Sequence, residues 1–316
     1  MPVSVNSPDG GNGQIAPFAS IDDVERMLLE QRYLADRGLA VTIFLAGSLR
    51  KPLFLEGEAG VGKTEVAKVL AAGLGRKLIR LQCYEGLDVS NAIYEWNYAK
   101  QILHIRLAET GPDTARAATE REIFSTAFLI RRPLLQALED HGGTPPVLLI
   151  DEIDRADEEF EAFLLEVLSD FQVTVPEIGT FHAAHPPLVV VTSNRTREVH
   201  DALKRRCLYQ WIDYPSVDRE AAIVQSKVPG IDRRLALEAS ALVANLRADS
   251  FYKHPGIAET IDWASALVAL GRAALDEQAV AETIGCLLKY QEDVKKARDS
   301  GLSARVDFAR KAAVGA

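Results

Sequence analysis

The chain has 316 residues, of which 47% are hydrophobic, so it can bury a substantial core that we expect to be divided between two units. Its formal net charge of −9 argues against a protein whose main task is to grip nucleic-acid phosphates. The cysteines, Cys83, Cys207 and Cys286, match neither a disulfide framework nor a metal site and predict reduced thiols in a cytoplasmic protein.

The N-terminal region predicts a tail followed by helices. Residues 1–19 lack a basic segment followed by an apolar stretch, so they predict a flexible tail and not a signal peptide. Ser20 before Ile21-Asp22-Asp23 predicts the start of a helix. The apolar stretch 38–49 is too short to span a bilayer, so we expect a buried helix and no membrane span.

Short apolar runs then alternate with helical patterns up to residue 215, which predicts an α/β unit over residues 20–215 with a wound parallel sheet. The predicted strands are residues 52–55, 78–81, 147–150, 188–191 and 209–212. The predicted helices between them are residues 65–74, 123–138 and 160–168.

Two stretches interrupt this alternation. Residues 172–181 alternate around a turn and predict a β-hairpin inserted before the fourth strand. Residues 88–106 carry Tyr94, Trp96 and Tyr98 at alternate positions, which indicates either a second insertion or an aromatic strand face packed on the core.

The strand signal ends after Tyr214-Pro215. Helical patterns follow over residues 218–226, 232–246, 258–270 and 279–297. We therefore predict a small all-helical second unit over residues 216–300, followed by a C-terminal tail over residues 301–316.

One segment fits the Walker A pattern between a predicted strand and a predicted helix: Gly57-Glu58-Ala59-Gly60-Val61-Gly62-Lys63-Thr64. The glycines allow backbone amides to turn inward and form a phosphate nest at a helix N-terminus. Lys63 is expected to reach the β and γ phosphates of ATP, and Thr64 to supply a hydroxyl to Mg²⁺. An ordinary glycine-rich turn is the alternative.

Asp151 and Glu152 follow the apolar strand 147–150, at the edge where ligands bind in open parallel sheets. Asp151 is expected to hold Mg²⁺ through water, and Glu152 to orient and deprotonate the attacking water. A solvated strand end is the alternative. Together with the phosphate loop, the pair favours ATP hydrolysis.

Further polar residues follow the next strand and the next helix. Asn194 can hydrogen-bond the attacking water or the γ-phosphate, or it can simply form the turn after the strand. Arg205 and Arg206 end a predicted helix, where two explanations are open. They can complement the helix dipole, or they can neutralise charge on the phosphate bound by a neighbouring subunit.

With these motifs in this order, the chain resembles the MoxR family of AAA+ ATPases over roughly residues 20–300. Residues 81–88 and 94–98 are most similar to the CoxD-like branch, which acts in carbon monoxide dehydrogenase maturation. The resemblance implies a P-loop AAA+ core with a five-stranded parallel sheet, β-hairpin insertions and a helical lid. It also implies a hexameric ring with ATP at the subunit interfaces.

The resemblance extends to particular residues. It implies that Asn194 is the sensor, that Arg206 is the arginine finger with Arg205 as the fallback, and that Gln82 restrains Glu152. The lid helix departs from the family pattern, since residues 255–260 contain no nucleotide-sensing arginine. Lys253 or other contacts are expected to replace that arginine.

The expected partners also come from the resemblance. They are further copies of the chain, a protein with a von Willebrand factor A domain and a client metalloenzyme, for which the chain would act as a chaperone-like maturation factor.

The alternative function is a nucleotide-dependent DNA motor or helicase-loader-like ring, which the acidic charge opposes. A scaffold without turnover is opposed by Glu152 and the arginine pair. A small GTPase lacks its Asn-Lys-x-Asp run, and a metabolite kinase leaves the helical lid unexplained.

Overall fold

The computed structural model describes residues 17–109, 122–139 and 141–314. Most of the predicted N-terminal tail, residues 1–16, lies outside these ranges. Phe18 is buried against the core, so the end of the predicted tail is packed and not flexible. Among the described residues, no helix is long and apolar enough to cross a membrane.

The described residues form α-helices and β-strands in the following order. The strands are β1 (Leu53–Glu56), β2 (Leu78–Gln82), β3 (Tyr94–Trp96), β4 (Leu129–Arg131), β5 (Val147–Asp151), β6 (Gln172–Val175), β7 (Gly179–His182), β8 (Leu188–Ser193) and β9 (Leu208–Trp211). The helices are α1 (Ile21–Glu30), α2 (Arg37–Leu49), α3 (Lys63–Gly73), α4 (Val89–Ile93), α5 (Tyr98–Glu109), α6 (Pro133–Leu138), α7 (Glu158–Asp170), α8 (Asp201–Arg206), α9 (Val217–Lys227), α10 (Arg233–Arg247), α11 (Ile257–Ala269), α12 (Glu277–Thr283), α13 (Gln291–Asp299) and α14 (Leu302–Val314).

Five parallel strands form the main sheet in the order β2-β5-β8-β1-β9. β1, β5 and β8 are buried along their whole length, as expected for parallel strands covered on both faces. The register sets Gln82 beside Asp151, and Glu56 beside Ser193. The polar strand ends therefore meet at the carboxyl edge, and the predicted α/β fold class is confirmed.

Helices cover both faces of this sheet. Leu28 of α1, Ile43 of α2 and Leu70 of α3 are buried on one face. Leu135 of α6 and Phe160 of α7 are buried on the other. This burial anchors the first turn of α3 and the loop before it against the centre of the sheet.

Two antiparallel pairs, β3-β4 and β6-β7, lie outside the main sheet. The predicted hairpin at residues 172–181 corresponds to β6-β7. The predicted helix at 123–138 is wrong in its first half, because residues 129–131 form β4 and pair with β3. Pro133 explains the break, since it disfavours helical backbone at the preceding residue and occupies the first position of α6.

The aromatic stretch agrees in part with both hypotheses. Residues 88–106 form a separate α4-β3-α5 segment, as expected of an insertion. Trp96 is nevertheless buried in the main core, whereas Tyr98 is exposed at the start of α5.

The helices α9 to α14 form a second unit, called the lid below, with its own core around Leu242, Trp263 and Leu267. The division at residue 215 stays a prediction. The predicted tail at 301–316 is wrong over residues 302–314, because α14 buries Leu302 and Val306 in the lid core. The predicted helix at 279–297 is interrupted by a 3₁₀ turn over Ile284–Cys286, which contains the poor helix former Gly285.

The cysteines differ in their surroundings. Cys83 and Cys207 are buried, and burial raises the pKa of each thiol to about 12. Cys286, in the lid, is partly exposed.

Candidate functional site

Residues 57–64, called the phosphate loop below, comprise the turn after β1 and the first two residues of α3, at the carboxyl edge of the sheet. Gly60 and Gly62 have positive φ angles of 80° and 94°, which favour glycine. A Cβ atom on Gly57 would lie 2.0 Å from the carbonyl oxygen of Ile212. Glycine at these positions therefore keeps the loop compact and leaves room for backbone amides to face a bound anion.

Lys63 is buried inside this loop. Its Nζ donates hydrogen bonds to the carbonyl oxygens of Gly57 at 2.8 Å and Glu58 at 2.7 Å. Burial lowers the pKa of Lys63 to about 8, against the opposing effect of acidic groups such as Asp154. The ammonium thus bonds to carbonyl oxygens of the loop at the place where the sequence predicts phosphate oxygens.

Asp151 lies at the end of β5 beside the phosphate loop, and its side chain is only 3% exposed. Its Oδ1 accepts hydrogen bonds from the hydroxyls of Thr64 at 2.9 Å and Thr192 at 2.6 Å. The predicted metal residues therefore touch each other. Hydroxyl and carboxylate oxygens are ligands that suit Mg²⁺, directly or through water, so this pair fits the expected ion.

Glu152 adopts a left-handed backbone conformation with φ of 56°, which is uncommon for a residue other than glycine. Its Oε1 accepts a hydrogen bond from Asn194 Nδ2 at 3.2 Å. Its Oε2 accepts one from Gln82 Nε2 at 3.1 Å and pairs with Arg155 Nε at 3.1 Å. The structure thus brings together Gln82, Glu152 and Asn194, which lie at or just after the ends of three different strands.

The sequence did not reveal the part played by Asp154. This carboxylate is buried and accepts hydrogen bonds from the backbone amides of Asn194 at 3.1 Å and Thr196 at 2.8 Å. The Thr196 hydroxyl donates to it at 2.6 Å. Asp154 therefore fixes the backbone that carries Asn194, and because the partners lie about 40 positions away, no local pattern indicates this contact.

Arg80 is another residue that the sequence reading missed. Its Nε and Nη2 donate to Asp151 Oδ2 at 3.0 Å and 2.6 Å, and Nη2 also donates to Gln82 Oε1. The available signal was the alternation of β2, which places Arg80 on the same face as Gln82.

A cavity of about 440 Å³ lies beside the phosphate loop. Its walls come from the loop, the segment 32–34, the segment 212–215 and the lid helices α9 and α11. Its apolar lining includes Tyr33, Leu34, Ile212, Ile223 and Ile261. An apolar cleft next to a phosphate nest suits the base and sugar of a nucleotide. The sequence could not show it, because its lining residues converge only in the folded chain.

The lid touches the phosphate loop through backbone atoms. The amide of Ile257 donates a hydrogen bond to the carbonyl oxygen of Gly60 at 2.9 Å. A Cβ atom on Gly256 would lie 2.7 Å from Gly60 Cα, so both glycines are needed for this approach. Lys253, the predicted substitute for a lid arginine, does not line the cavity; its backbone amide donates to Asp293 within the lid.

A buried ion pair holds this part of the lid in place. Arg247 donates to the two carboxylate oxygens of Glu220 at 2.6 Å and 2.8 Å, and the Thr260 hydroxyl donates to the same carboxylate at 2.7 Å. Arg247 also donates to the carbonyl oxygen of Pro255 at 2.7 Å and lies 4.2 Å from the centre of the Tyr214 ring. The pair therefore ties residues 255–256 to the segment that joins the two units.

Arg205 and Arg206 lie at the end of α8 and are exposed. Arg205 is 4.0 Å from Asp201 of the same helix. The Arg206 side chain forms no hydrogen bond or ion pair with any residue of the described ranges. The structure therefore does not bring either arginine into the chain's own site.

The phosphate loop, Thr64 and Asp151 all lie at the carboxyl edge of a parallel sheet, which is where such a sheet presents its ligands. Fold and site together define a P-loop ATPase.

Comparison with known proteins narrows this class. Residues 52–207 match the family profile of the AAA domain (dynein-related subfamily). This span holds the phosphate loop, both acidic strand-end residues and Asn194. Residues 52–207 are therefore an AAA domain, and this domain makes the chain an ATPase that uses ATP and Mg²⁺.

The individual proteins that the chain resembles have low sequence identity to it. Over 133 residues the chain is 29% identical to a Lon protease of Porphyromonas gingivalis, a match that covers 40% of this chain and 12% of that protein's length. A Thermotoga maritima RuvB Holliday junction branch migration motor is similar in structure, with a TM-score of 0.42, 16% identity and coverage of 78% of this chain and 66% of that one. A Cytophaga hutchinsonii protein described as a candidate ATPase has a TM-score of 0.44, 14% identity and coverage of 92% and 94%.

Proposed function

We propose that this chain is an ATP-driven remodelling factor of the MoxR type that works as a ring and hydrolyses ATP at sites shared between subunits. The observation that carries the proposal is the position of Arg206. It is exposed and has no partner among the described residues, whereas Glu152 and Asn194 already pair with each other inside the chain. A guanidinium outside its own site is available to the phosphate bound by a neighbour.

The proposed roles of the other residues follow from where they lie. The backbone of residues 57–62 cradles the phosphates and Lys63 contacts the β and γ groups. Thr64 and, through water, Asp151 hold Mg²⁺, which supplies charge neutralisation when bound. Glu152 takes the proton of the attacking water.

The residues around Glu152 complete the proposed site. Asn194 orients the Glu152 carboxylate or the water, since its amide already lies 3.2 Å from that carboxylate. Gln82 and Arg155 hold the other carboxylate oxygen and so restrain the base. The neighbouring subunit contributes Arg206, or Arg205 as the fallback, to the developing negative charge.

The proposed client is a metalloenzyme of the carbon monoxide dehydrogenase kind, reached together with a von Willebrand factor A domain protein. This part rests on the resemblance of residues 81–88 and 94–98 to the CoxD-like branch. It is supported by α5, which exposes Tyr98, Ile102 and Leu103 on an insertion outside the main sheet. Exposed apolar side chains on one element favour contact with a protein.

The shared site is tested by measuring steady-state ATP hydrolysis against protein concentration, with molar mass from light scattering. Activity per subunit should rise with assembly. It should fall at least about 1000-fold in Arg206→Ala, the usual effect of losing an arginine finger, and by about 100-fold or more in Glu152→Gln. Arg233→Ala, at an exposed arginine of the lid, is the matched control and should keep full activity.

Mixing the two inactive variants sharpens this test. Arg206→Ala subunits keep Glu152, and Glu152→Gln subunits keep Arg206, so mixed rings contain some complete sites and should regain activity. Activity that is independent of assembly and unaffected by Arg206→Ala would show a self-contained hydrolase and end the ring proposal.

The client is tested by expressing a carbon monoxide dehydrogenase with the wild-type chain or with Glu152→Gln and measuring the metal content of the enzyme. Full metal loading with the inactive variant would remove the maturation role.

A DNA motor or helicase-loader-like ring is the second candidate, because the β6-β7 hairpin is an insertion that such rings also carry. The net charge of −9 opposes it. Tight, salt-dependent binding to duplex DNA together with DNA-stimulated ATP hydrolysis would favour the motor.

A further inference from the structure

One guanidinium, that of Arg80, connects both carboxylates of the candidate site. It donates to Asp151 Oδ2 through Nε at 3.0 Å and Nη2 at 2.6 Å. The same Nη2 donates to Gln82 Oε1, and Gln82 Nε2 donates to Glu152 Oε2 at 3.1 Å. A single chain of hydrogen bonds therefore runs from the proposed metal residue to the proposed base.

The strand register produces this arrangement. Gln82 lies beside Asp151, and Arg80 lies beside Leu149 on the same pair of strands. Leu81 between them is buried, so Arg80 and Gln82 share the opposite face of β2. The arginine is thus directed along the strand toward the carboxyl edge.

Electrostatics explain why a cation is held there. The Asp151 side chain is 3% exposed, and a buried carboxylate is costly unless it is paired. Within the described residues, the cation that pairs with the Asp151 carboxylate is the guanidinium of Arg80. The Arg80 side chain is itself 51% exposed, so it can leave the site and become hydrated at little cost.

The two oxygens of Asp151 are divided between two kinds of partner. Oδ1 faces the hydroxyls of Thr64 and Thr192, and Oδ2 faces the guanidinium of Arg80. A divalent ion held near Thr64 would therefore lie on the far side of the same carboxylate from Arg80. Like charges at such short range repel, so the ion and the guanidinium compete for Asp151.

We propose that Arg80 is a positioning residue that holds Asp151 and, through Gln82, Glu152 until Mg²⁺ arrives with ATP. In the metal-bound state Arg80 would leave Asp151 and move toward solvent, and the amide oxygen of Gln82 would lose its hydrogen bond from Arg80. Glu152 is then freer to turn toward the attacking water. The proposal rests on the proposed function, since it requires Asp151 to face the metal.

The test is direct binding of Mn²⁺, measured by electron paramagnetic resonance on the full chain saturated with ADP, so that no turnover is needed. Arg80→Met keeps the length of the side chain and removes its charge, and it should tighten Mn²⁺ binding about tenfold. Arg80→Lys keeps a charge and should stay near the wild-type affinity. Arg76→Met, just before β2, is the matched control and should also stay at the wild-type affinity.

The outcome separates this inference from the proposed function. Asp151→Asn must weaken Mn²⁺ binding if the proposed metal site is right, whatever Arg80 does. If Asp151→Asn weakens binding but Arg80→Met leaves it unchanged or weaker, only the role of Arg80 is overturned. If Asp151→Asn has no effect, the proposed metal site is wrong and the role of Arg80 falls with it. If Arg80→Met does not fold, Arg80→Gln removes the same charge with a polar side chain, and the same tightening of Mn²⁺ binding is expected of it.

Discussion

The candidate site has two sides that differ in their residues, called the sheet-edge wall and the lid wall below. The sheet-edge wall consists of charged and polar side chains. Lys63 donates to carbonyl oxygens of the phosphate loop, whereas Asp151 and Glu152 accept hydrogen bonds from neighbouring side chains.

The lid wall combines the apolar Ile223 and Ile261 with the charged Arg219 and Lys227. It contacts the phosphate loop through the hydrogen bond from the Ile257 amide to the Gly60 carbonyl oxygen. A chemical role therefore leaves characteristic residue types in the sequence, whereas the contact between the lid and the phosphate loop is made by backbone atoms and leaves no such pattern.

The largest effect is expected on the lid wall, at its buried ion pair. Arg247→Ala leaves the Glu220 carboxylate buried without its bidentate partner, which should cost about 3–5 kcal/mol of stability. Urea denaturation followed by circular dichroism measures the change. The double variant Arg247→Met with Glu220→Leu removes both charges and should recover most of the loss. A loss below about 1 kcal/mol in Arg247→Ala would mean that the pair does not hold the lid.

At the sheet-edge wall, Lys63→Ala should weaken binding of MgATP by about 100-fold, because a charge-assisted bond to phosphate contributes roughly 1.5–3 kcal/mol. Stability should change little. Calorimetry in the Glu152→Gln background excludes turnover during the measurement. Lys68→Ala, which removes another lysine of the same cavity, is the control and should have a smaller effect. Equal affinities for Lys63→Ala and the unsubstituted background would contradict the assignment of the loop.

A smaller effect tests the backbone contact between the walls. Gly256→Ala places a Cβ atom 2.7 Å from Gly60 Cα, so lid and loop must separate, at a cost of about 1–3 kcal/mol. We expect about tenfold weaker MgATP binding by calorimetry. Gly285→Ala is the matched control, since no atom lies within 4 Å of its added Cβ. Wild-type affinity in Gly256→Ala would show that the loop tolerates a detached lid.

The smallest effect is expected in the apolar part of the cavity. Ile223→Ala removes apolar contact with the base or sugar, and loss of about 1 kcal/mol should weaken ATP binding about fivefold. Inorganic triphosphate, which has neither base nor sugar, should bind both proteins equally. If the substitution weakens both ligands alike, Ile223 acts through the shape of the site and not through the base.

Local patterns predicted much of the fold. The five sheet strands are short apolar runs, and their alternation with helical patterns predicts the α/β class. The errors have local causes too. Pro133 and Gly285 break two predicted helices, and Leu302 with Val306 show the four-residue spacing that the predicted C-terminal tail overlooked.

The sequence indicates those residues of the candidate site that belong to a motif in which the chemistry requires a particular residue type. The family resemblance implies that Gln82 lies beside Glu152, and a hydrogen bond joins these two side chains in the structure. The hydrogen bond between Asn194 and Glu152 joins the ends of two adjacent strands. Arg80 and Asp154 were missed because an ion pair or a carboxylate-amide contact across strands has no signature along one of them. The apolar cavity was missed for the same reason, since five separate segments form it.

The three cysteines differ in burial, and this difference allows a spectroscopic label to be attached selectively to one of them. Thiol reagents react with the thiolate, which is the nucleophile. Cys83 and Cys207 are buried and have pKa values raised to about 12, so they should stay unmodified in the folded protein. Cys286 is partly exposed and lies in the lid. A fluorophore or spin label attached there without any substitution would report how the lid moves as ATP binds, is hydrolysed and leaves.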